Sequence, residues 1–144
     1  MENSLNQTTP QKITKEILAF CKDIDPKSNP IFVDVHPARE VRFNYCLTDV
    51  PEYAWQHGGE AIFGWIIWEV PGLLLEAEFH TCYKDEDGKL INITPKPDGE
   101  RQILFLPDSH RVSNVGNLPI SNRAEYPALH VAGLSKCLKC FDRI

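Results

Sequence analysis

At 144 residues, with a net charge of -5 and a pI near 5.5, the chain lacks the clustered Lys and Arg that a general nucleic-acid binder needs to neutralise phosphates. Its length and 42% hydrophobic content suit a single domain over 1–144, with residues 1–8 frayed and a core that needs no covalent staples. The first residues lack the charged and apolar regions of a secretory signal, and no apolar run reaches membrane-spanning length. The expectation is therefore a cytoplasmic protein with no membrane or nucleic-acid partner.

Taken in order, Thr9 as N-cap and Pro10 as first helical residue, followed by Ile13, Ile17, Cys21 and Ile24, predict an amphipathic helix. Cys21 lies on its apolar stripe and reads as a buried thiol. Pro26, Ser28, Asn29 and Pro30 break the chain. Ile31 to His36 alternates as a strand closed by Pro37, and Ala38 to Tyr45 gives no assignable pattern.

A second helix is expected with Thr48 as N-cap. That start puts Pro51 in the tolerant first turn, leaves Cys46 two residues ahead of the helix, and lets Gly58-Gly59 end it. Ala61 to Trp68 is apolar on both faces and reads as a central strand.

Gly64 to Pro95 forms the heart of the pattern, two apolar runs and a short final arm joined through Asp87-Gly88 as an antiparallel meander. On its second run Glu76, Glu78, His80 and Cys82 share one face, and Leu75, Ala77, Phe79, Thr81 and Tyr83 share the other. A three-residue loop Glu86-Asp87-Gly88, with Gly88 left-handed, pairs Asp85 with Lys89 and Cys82 with Asn92. This register is preferred over a two-residue loop because it keeps the Asn92 amide off the core, where an unpaired amide costs roughly 1 to 3 kcal/mol.

Beyond Pro95, Lys96-Pro97-Asp98-Gly99 is a turn, and Gln102 to Leu106 is a strand stopped by Pro107. Residues 107–124 read as a long loop of the kind that serves as lid or binding element. A helix follows from about Ala128, with Leu129, Leu134, Leu138 and Phe141 as a partial stripe. These elements predict an α+β domain, an antiparallel sheet of about four or five strands packed against about two or three helices.

Five cysteines, Cys21, Cys46, Cys82, Cys137 and Cys140, are an odd number in a chain without an export signal, which argues against a disulfide framework. Cys46, His80 and Asn92 form the main chemical constellation. A thiol attacks as thiolate, so it gains from a helix N-terminus and an adjacent imidazole, and the third group orients the ring. The alternative is an ordinary thiol and a hydrogen-bonded strand histidine.

Glu76, Glu78 and His80 could instead hold a metal, although neighbours two apart on a strand bring only pairs into chelating range. Cys137-x-x-Cys140 has only His130 nearby and lacks a βαβ context, so neither zinc nor redox chemistry is well served. His57, His110 and His130 read as surface residues. Trp65, Trp68, Glu78 and Tyr83 are candidates for a substrate pocket, and the same aromatics could serve a binding module without turnover.

The run Cys46-x-x-Asp49-Val50, Gly58-Gly59, Gly64-Trp65, Glu76-Ala77-Glu78-Phe79-His80, Asp87-Gly88 and Ile91-Asn92-Ile93-Thr94-Pro95 resembles a small uncharacterised bacterial family. That family reads C-x-x-N-V, GG, GW, EAEFH, DG and D-x-TP, and the likeness covers about half the chain. It implies a papain-like arrangement of the NlpC/P60 or transglutaminase-like kind, with Cys46 as nucleophile, His80 as base and Asn92 as orienting residue. Asp49 stands where the family has Asn, and Asn92 where it more often has Asp. The expected function is cysteine-dependent acyl transfer (amidase, deamidase, peptidase or transglutaminase-like) on a small-molecule or peptide amide. It needs no cofactor, and Glu76 and Glu78 favour a cationic or neutral substrate.

Overall fold

The computed structural model describes residues 7–71, 74–96 and 99–108 and the backbone of 131–133. Helix α1 spans Lys15–Ile24, strand β1 Ile31–Val35, helix α2 Cys46–His57, and strands β2 and β3 Glu60–Val70 and Leu74–Lys84. Strands β4, β5 and β6 are Leu90–Asn92, Gln102–Pro107 and Val131–Gly133.

The first helix starts later than Thr9-Pro10 predicted. Thr8 exchanges both backbone hydrogen bonds with Glu69 at 2.9 Å, and the Thr9 hydroxyl donates to Glu100 Oε1 at 2.5 Å, so this segment is held in extended form beside the sheet. Thr14 caps α1 instead, its hydroxyl oxygen accepting from the Ile17 amide at 3.2 Å. The predicted stripe survives the shift, since Ile17, Phe20 and Cys21 are buried against Phe63, Trp65, Ile67 and Phe79.

The strands run in the order β2-β5-β1-β4-β3, and an additional pairing of β3 with β2 closes the ring into a five-stranded barrel, with β6 added on β3. The sheet is mixed rather than wholly antiparallel, because β1 inserts between β4 and β5 and lies parallel to β4. Alternation within a strand says which side chains share a face; it does not say which distant strand lies alongside.

The barrel interior holds Val33, Ile66, Trp68, Cys82, Ile103 and Phe105, with Val35, Ile62 and Leu90 beside them. Outside, α1 covers one apolar layer, and α2 packs Val50 and Ala54 against Tyr83 and Ile93. This is why β2 is apolar on both faces: one side fills the barrel and the other meets the helices.

The β3–β4 turn has the three-residue form. Gly88 has φ 88°, Asp85 N donates to Lys89 O at 2.9 Å, and Tyr83 pairs with Ile91. Asp85 reinforces it by accepting from the amides of Asp87 and Lys89.

Where a helix was expected from Ala128, residues 131–133 form a strand paired with Leu74–Glu76. The remainder of that segment, including Cys137 and Cys140, lies outside the described residues, as does 109–124 of the expected loop. No described helix is long and apolar enough to cross a membrane.

Gly64 pairs with His80 on one side and Pro107 on the other, and a Cβ there would lie 2.1 Å from Leu106 O. At Gly88 a Cβ would meet nothing within 4 Å, so only the positive φ penalises a side chain. Gly64→Ala should therefore destabilise by about 1–3 kcal/mol or more through overpacking, and Gly88→Ala by about 1–2 kcal/mol. Urea unfolding would rank the two, and a Gly64→Ala variant as stable as the parent would show that the β2–β5 contact is not close.

Candidate functional site

The site begins where the chain enters α2. The 38–45 segment, unassignable by pattern, is stitched by Ala38 N donating to Ile93 O, Val41 N to Ala38 O and Tyr45 N to Arg42 O, and Asn44 turns it with φ 71°. Asp49, in the first turn of α2, accepts from the Arg42 backbone N–H, Nε and Nη2, each at 2.9 Å. These hydrogen bonds hold the Asp49 carboxyl below its usual range and place a negative charge near the positive end of the helix.

The helix start differs from expectation. Tyr45 is the N-cap and Cys46 the first helical residue, while Thr48 donates its hydroxyl to Tyr45 O at 3.3 Å instead of capping. Pro51 consequently lies inside the helix, where it cannot donate to the carbonyl of Leu47. Tyr45 gives the first-turn amides no side-chain cap, so Cys46 sits directly at an uncapped helix N-terminus.

His80 pairs with Gly64 across the β2–β3 ladder, on the same face of β3 as Cys82. It is buried, with Phe105 edge-on at 6.3 Å. Contrary to the expectation that the turn keeps it off the core, Asn92 is fully buried, and its Oδ1 lies 2.8 Å from His80 Nε2. The Thr94 amide donates to the same oxygen at 3.4 Å, which identifies it as the acceptor and gives Nε2 the proton. The other ring nitrogen, Nδ1, is left to a sulfur.

The sulfur of Cys46 reaches that ring because the β3 ladder is interrupted. β4 pairs with β3 only at Tyr83 and Lys84, and β6 only at Leu74–Glu76. Between them, among the described strands, this edge of β3 has no strand partner, and the start of α2 lies against it. Cys46 there contacts both the His80 ring and the Thr81 amide.

Burial pushes the Cys46 thiol up, but the charge and hydrogen bond of His80 and the Thr81 N–H outweigh it, leaving the thiol below its usual 9.0. Burial would likewise lower His80, yet the charge and hydrogen bond of Cys46 raise it well above 6.5. The two shifts agree on a thiolate–imidazolium pair. Of the other described cysteines, Cys21 is pushed up to about 12 by burial, and burial also raises Cys82 although it too contacts His80. Cys46 alone of these three is partly exposed.

The remaining candidates separate. Trp65 is fully buried on the helix side and donates from Nε1 to Asp108 at 2.9 Å. Tyr83 is buried beneath α2, its hydroxyl donating to Gly58 O at 2.6 Å and its ring edge-on to Tyr53. Trp68 and Glu78 share the His80 face, with Trp68 Nε1 donating to Glu78 Oε1 at 2.8 Å. The four thus form no single pocket.

Glu76 is buried and accepts from Gln7, pointing its carboxylate to the N-terminal strap. No three metal-ligating side chains converge among the described residues, so Glu76, Glu78 and His80 do not form the alternative metal site. His57 is a half-exposed partner of Glu40 at 3.2 Å, as its surface assignment implied, while His110 and His130 fall outside the described residues. Thr81, Thr94 and Arg42 escaped the sequence reading; of these only Thr94, two residues beyond Asn92 and past the end of β4, carried a usable spacing signal.

Compared with known proteins, the chain matches no family model, no curated protein and no solved structure.

The thiol shift predicts a pH profile. Cys46 should be alkylated by iodoacetamide at pH values where Cys21 and Cys82 are inert, with the rate falling as acid protonates the thiolate below its depressed pKa. His80→Ala removes both the opposing charge and the hydrogen bond, leaves burial and the Glu78 charge opposed only by the Thr81 N–H, and should move the profile to higher pH. Peptide-mapped alkylation rates test this, and identical profiles with and without His80 would refute the pairing.

Proposed function

We propose that this protein is a cysteine-dependent acyl-transfer enzyme of papain-like or transglutaminase-like character, with Cys46 as nucleophile, His80 as acid–base and Asn92 as positioning residue. One observation carries the reading: sulfur, imidazole and amide form a single chain of contacts, with the 2.8 Å His80–Asn92 bond at its fixed end and a depressed thiol at its open end.

In the first half-reaction the Cys46 thiolate attacks an acyl carbonyl, and negative charge grows on the carbonyl oxygen. Helix geometry leaves the amides of Cys46 and Leu47 without intrahelical acceptors, so they are the donors suited to that oxygen. His80 gives its Nδ1 proton to the leaving group as the tetrahedral species collapses to a thioester. In the second half-reaction neutral His80 takes a proton from water or an amine as it attacks the thioester. Cys46 leaves as thiolate and the imidazolium is restored.

Asn92 contributes by geometry rather than charge. Accepting from Nε2–H, it fixes the tautomer in which Nδ1 faces the sulfur. A carboxylate could accept both of the bonds now made by Oδ1, whereas the Asn92 Nδ2 donor is buried without a partner among the described residues.

The test is a burst experiment with p-nitrophenyl acetate. The parent protein should release p-nitrophenol in a burst and carry an acetyl group on Cys46, seen by peptide mass spectrometry. Cys46→Ala should abolish both. Asn92→Asp should acylate within about tenfold of the parent, while Asn92→Ala should lose about 10²-fold, the scale of a misplaced general base. Acetylation spread evenly over the cysteines, or unchanged in Cys46→Ala, would sink the reading.

A further inference from the structure

We infer that Glu78 is a specificity-determining residue of this site, selecting substrates that carry a positively charged nitrogen next to the reacting acyl bond. The inference rests on the acyl-transfer reading and extends it to a substrate class.

Glu78 lies two residues from His80 on the same face of β3, and the two neighbours on that face have different surroundings. Glu76 and His80 are both buried, whereas Glu78 is exposed. It is nonetheless held in place, because Trp68 Nε1 donates to its Oε1 at 2.8 Å, and Trp68 is itself buried in the barrel layer. A long acidic side chain on a strand is ordinarily free to swing into water. Here one oxygen is tethered and the other remains open.

No Lys or Arg among the described residues forms an ion pair with Glu78. The nearest cation in this corner, Lys96, places its Nζ 4.3 Å from the centre of the Trp68 ring, on the face of the indole rather than at the N–H edge that Glu78 occupies. Among the described residues the carboxylate is therefore without an ion-pair partner, and it is tethered in direction on the same face of β3 as His80. It is close enough to oppose ionisation of the Cys46 thiol.

The His80 imidazolium and the Cys46 thiolate largely cancel when seen from solvent, so Glu78 sets the sign felt by an approaching substrate. An ammonium or guanidinium group fits it, either on the acyl donor or on an amine that accepts the acyl group. An anionic substrate meets repulsion that no ion-paired cation on Glu78 among the described residues offsets.

Two methanethiosulfonate reagents that differ only in charge, 2-(trimethylammonio)ethyl and 2-sulfonatoethyl, test this on the full chain. Each forms a disulfide with Cys46 by displacing a sulfinate. The ratio of their rates in the parent, divided by the same ratio in Glu78→Gln, cancels their intrinsic reactivities. Glutamine keeps an oxygen for the Trp68 indole, so it removes charge while leaving the tether. The expected ratio of ratios is about tenfold in favour of the cation, the size of a unit-charge interaction at a half-wet site.

Glu78→Asp should restore part of that preference. A ratio of ratios of one, or one favouring the anion, overturns the inference. Uncharged methyl methanethiosulfonate in the same assay reports the thiolate alone, so failure of the catalytic reading is seen separately from failure of charge selection. With the p-nitrophenyl acetate thioester formed, partition to 1,5-diaminopentane against ethanolamine then tells an acceptor preference from a donor preference. A loss of diaminopentane partition in Glu78→Gln assigns the cation to the acceptor, and unchanged partition assigns it to the donor.

Discussion

Closure of the barrel depends on β2 bonding to β3 along one edge and β5 along the other, and Gly64 sits where β5 approaches closely. The absent side chain lets the β5 backbone and the Phe105 ring approach. Among the described strands the opposite edge of β3 has no partner between β4 and β6, and the start of α2 lies against it.

The electrostatics of the pair follow from where it lies. An isolated thiolate or imidazolium in this setting would be neutralised by burial, and burial is the largest single influence on both groups. Each favours the other's charged form as its counter-ion, with a helix N-terminus and the Thr81 N–H on the sulfur side. Asn92 brings no charge, so the imidazolium depends on the thiolate more than it would with a carboxylate at its far nitrogen. In the proposed acyl transfer that dependence would tie the two groups together: attack by the sulfur removes the counter-ion of His80, which then gives up its proton more readily to the leaving group.

Four side chains on one face of β3 meet four different ends. Glu76 is taken up by Gln7, Glu78 is tethered at the surface by Trp68, His80 is clamped between Asn92 and Cys46, and Cys82 fills the barrel. Strand periodicity makes them equivalent. What distinguishes them is what crosses above each: the N-terminal strap, open solvent, the α2 start and the barrel wall.

Much of the site was legible before folding was considered. The order of thiol, imidazole and amide, the period-two face of β3, and the Gly88 turn that puts Asn92 beside His80 all come from local chemistry, because a turn's geometry and a strand's alternation involve only residues near in sequence. The helix starts were misjudged for the opposite reason. Thr9 and Thr48 have capping side chains, but Glu69 and Glu100 engage the first segment, and Arg42 with Asp49 fixes the second. The mixed, closed sheet, the insertion of β1 between β4 and β5, the burial of Trp65 and Tyr83 away from Trp68, and the gap in the β3 ladder were decided by tertiary structure alone. They are pairings between segments far apart in the chain, and no local propensity specifies which of several compatible partners a strand or loop will meet.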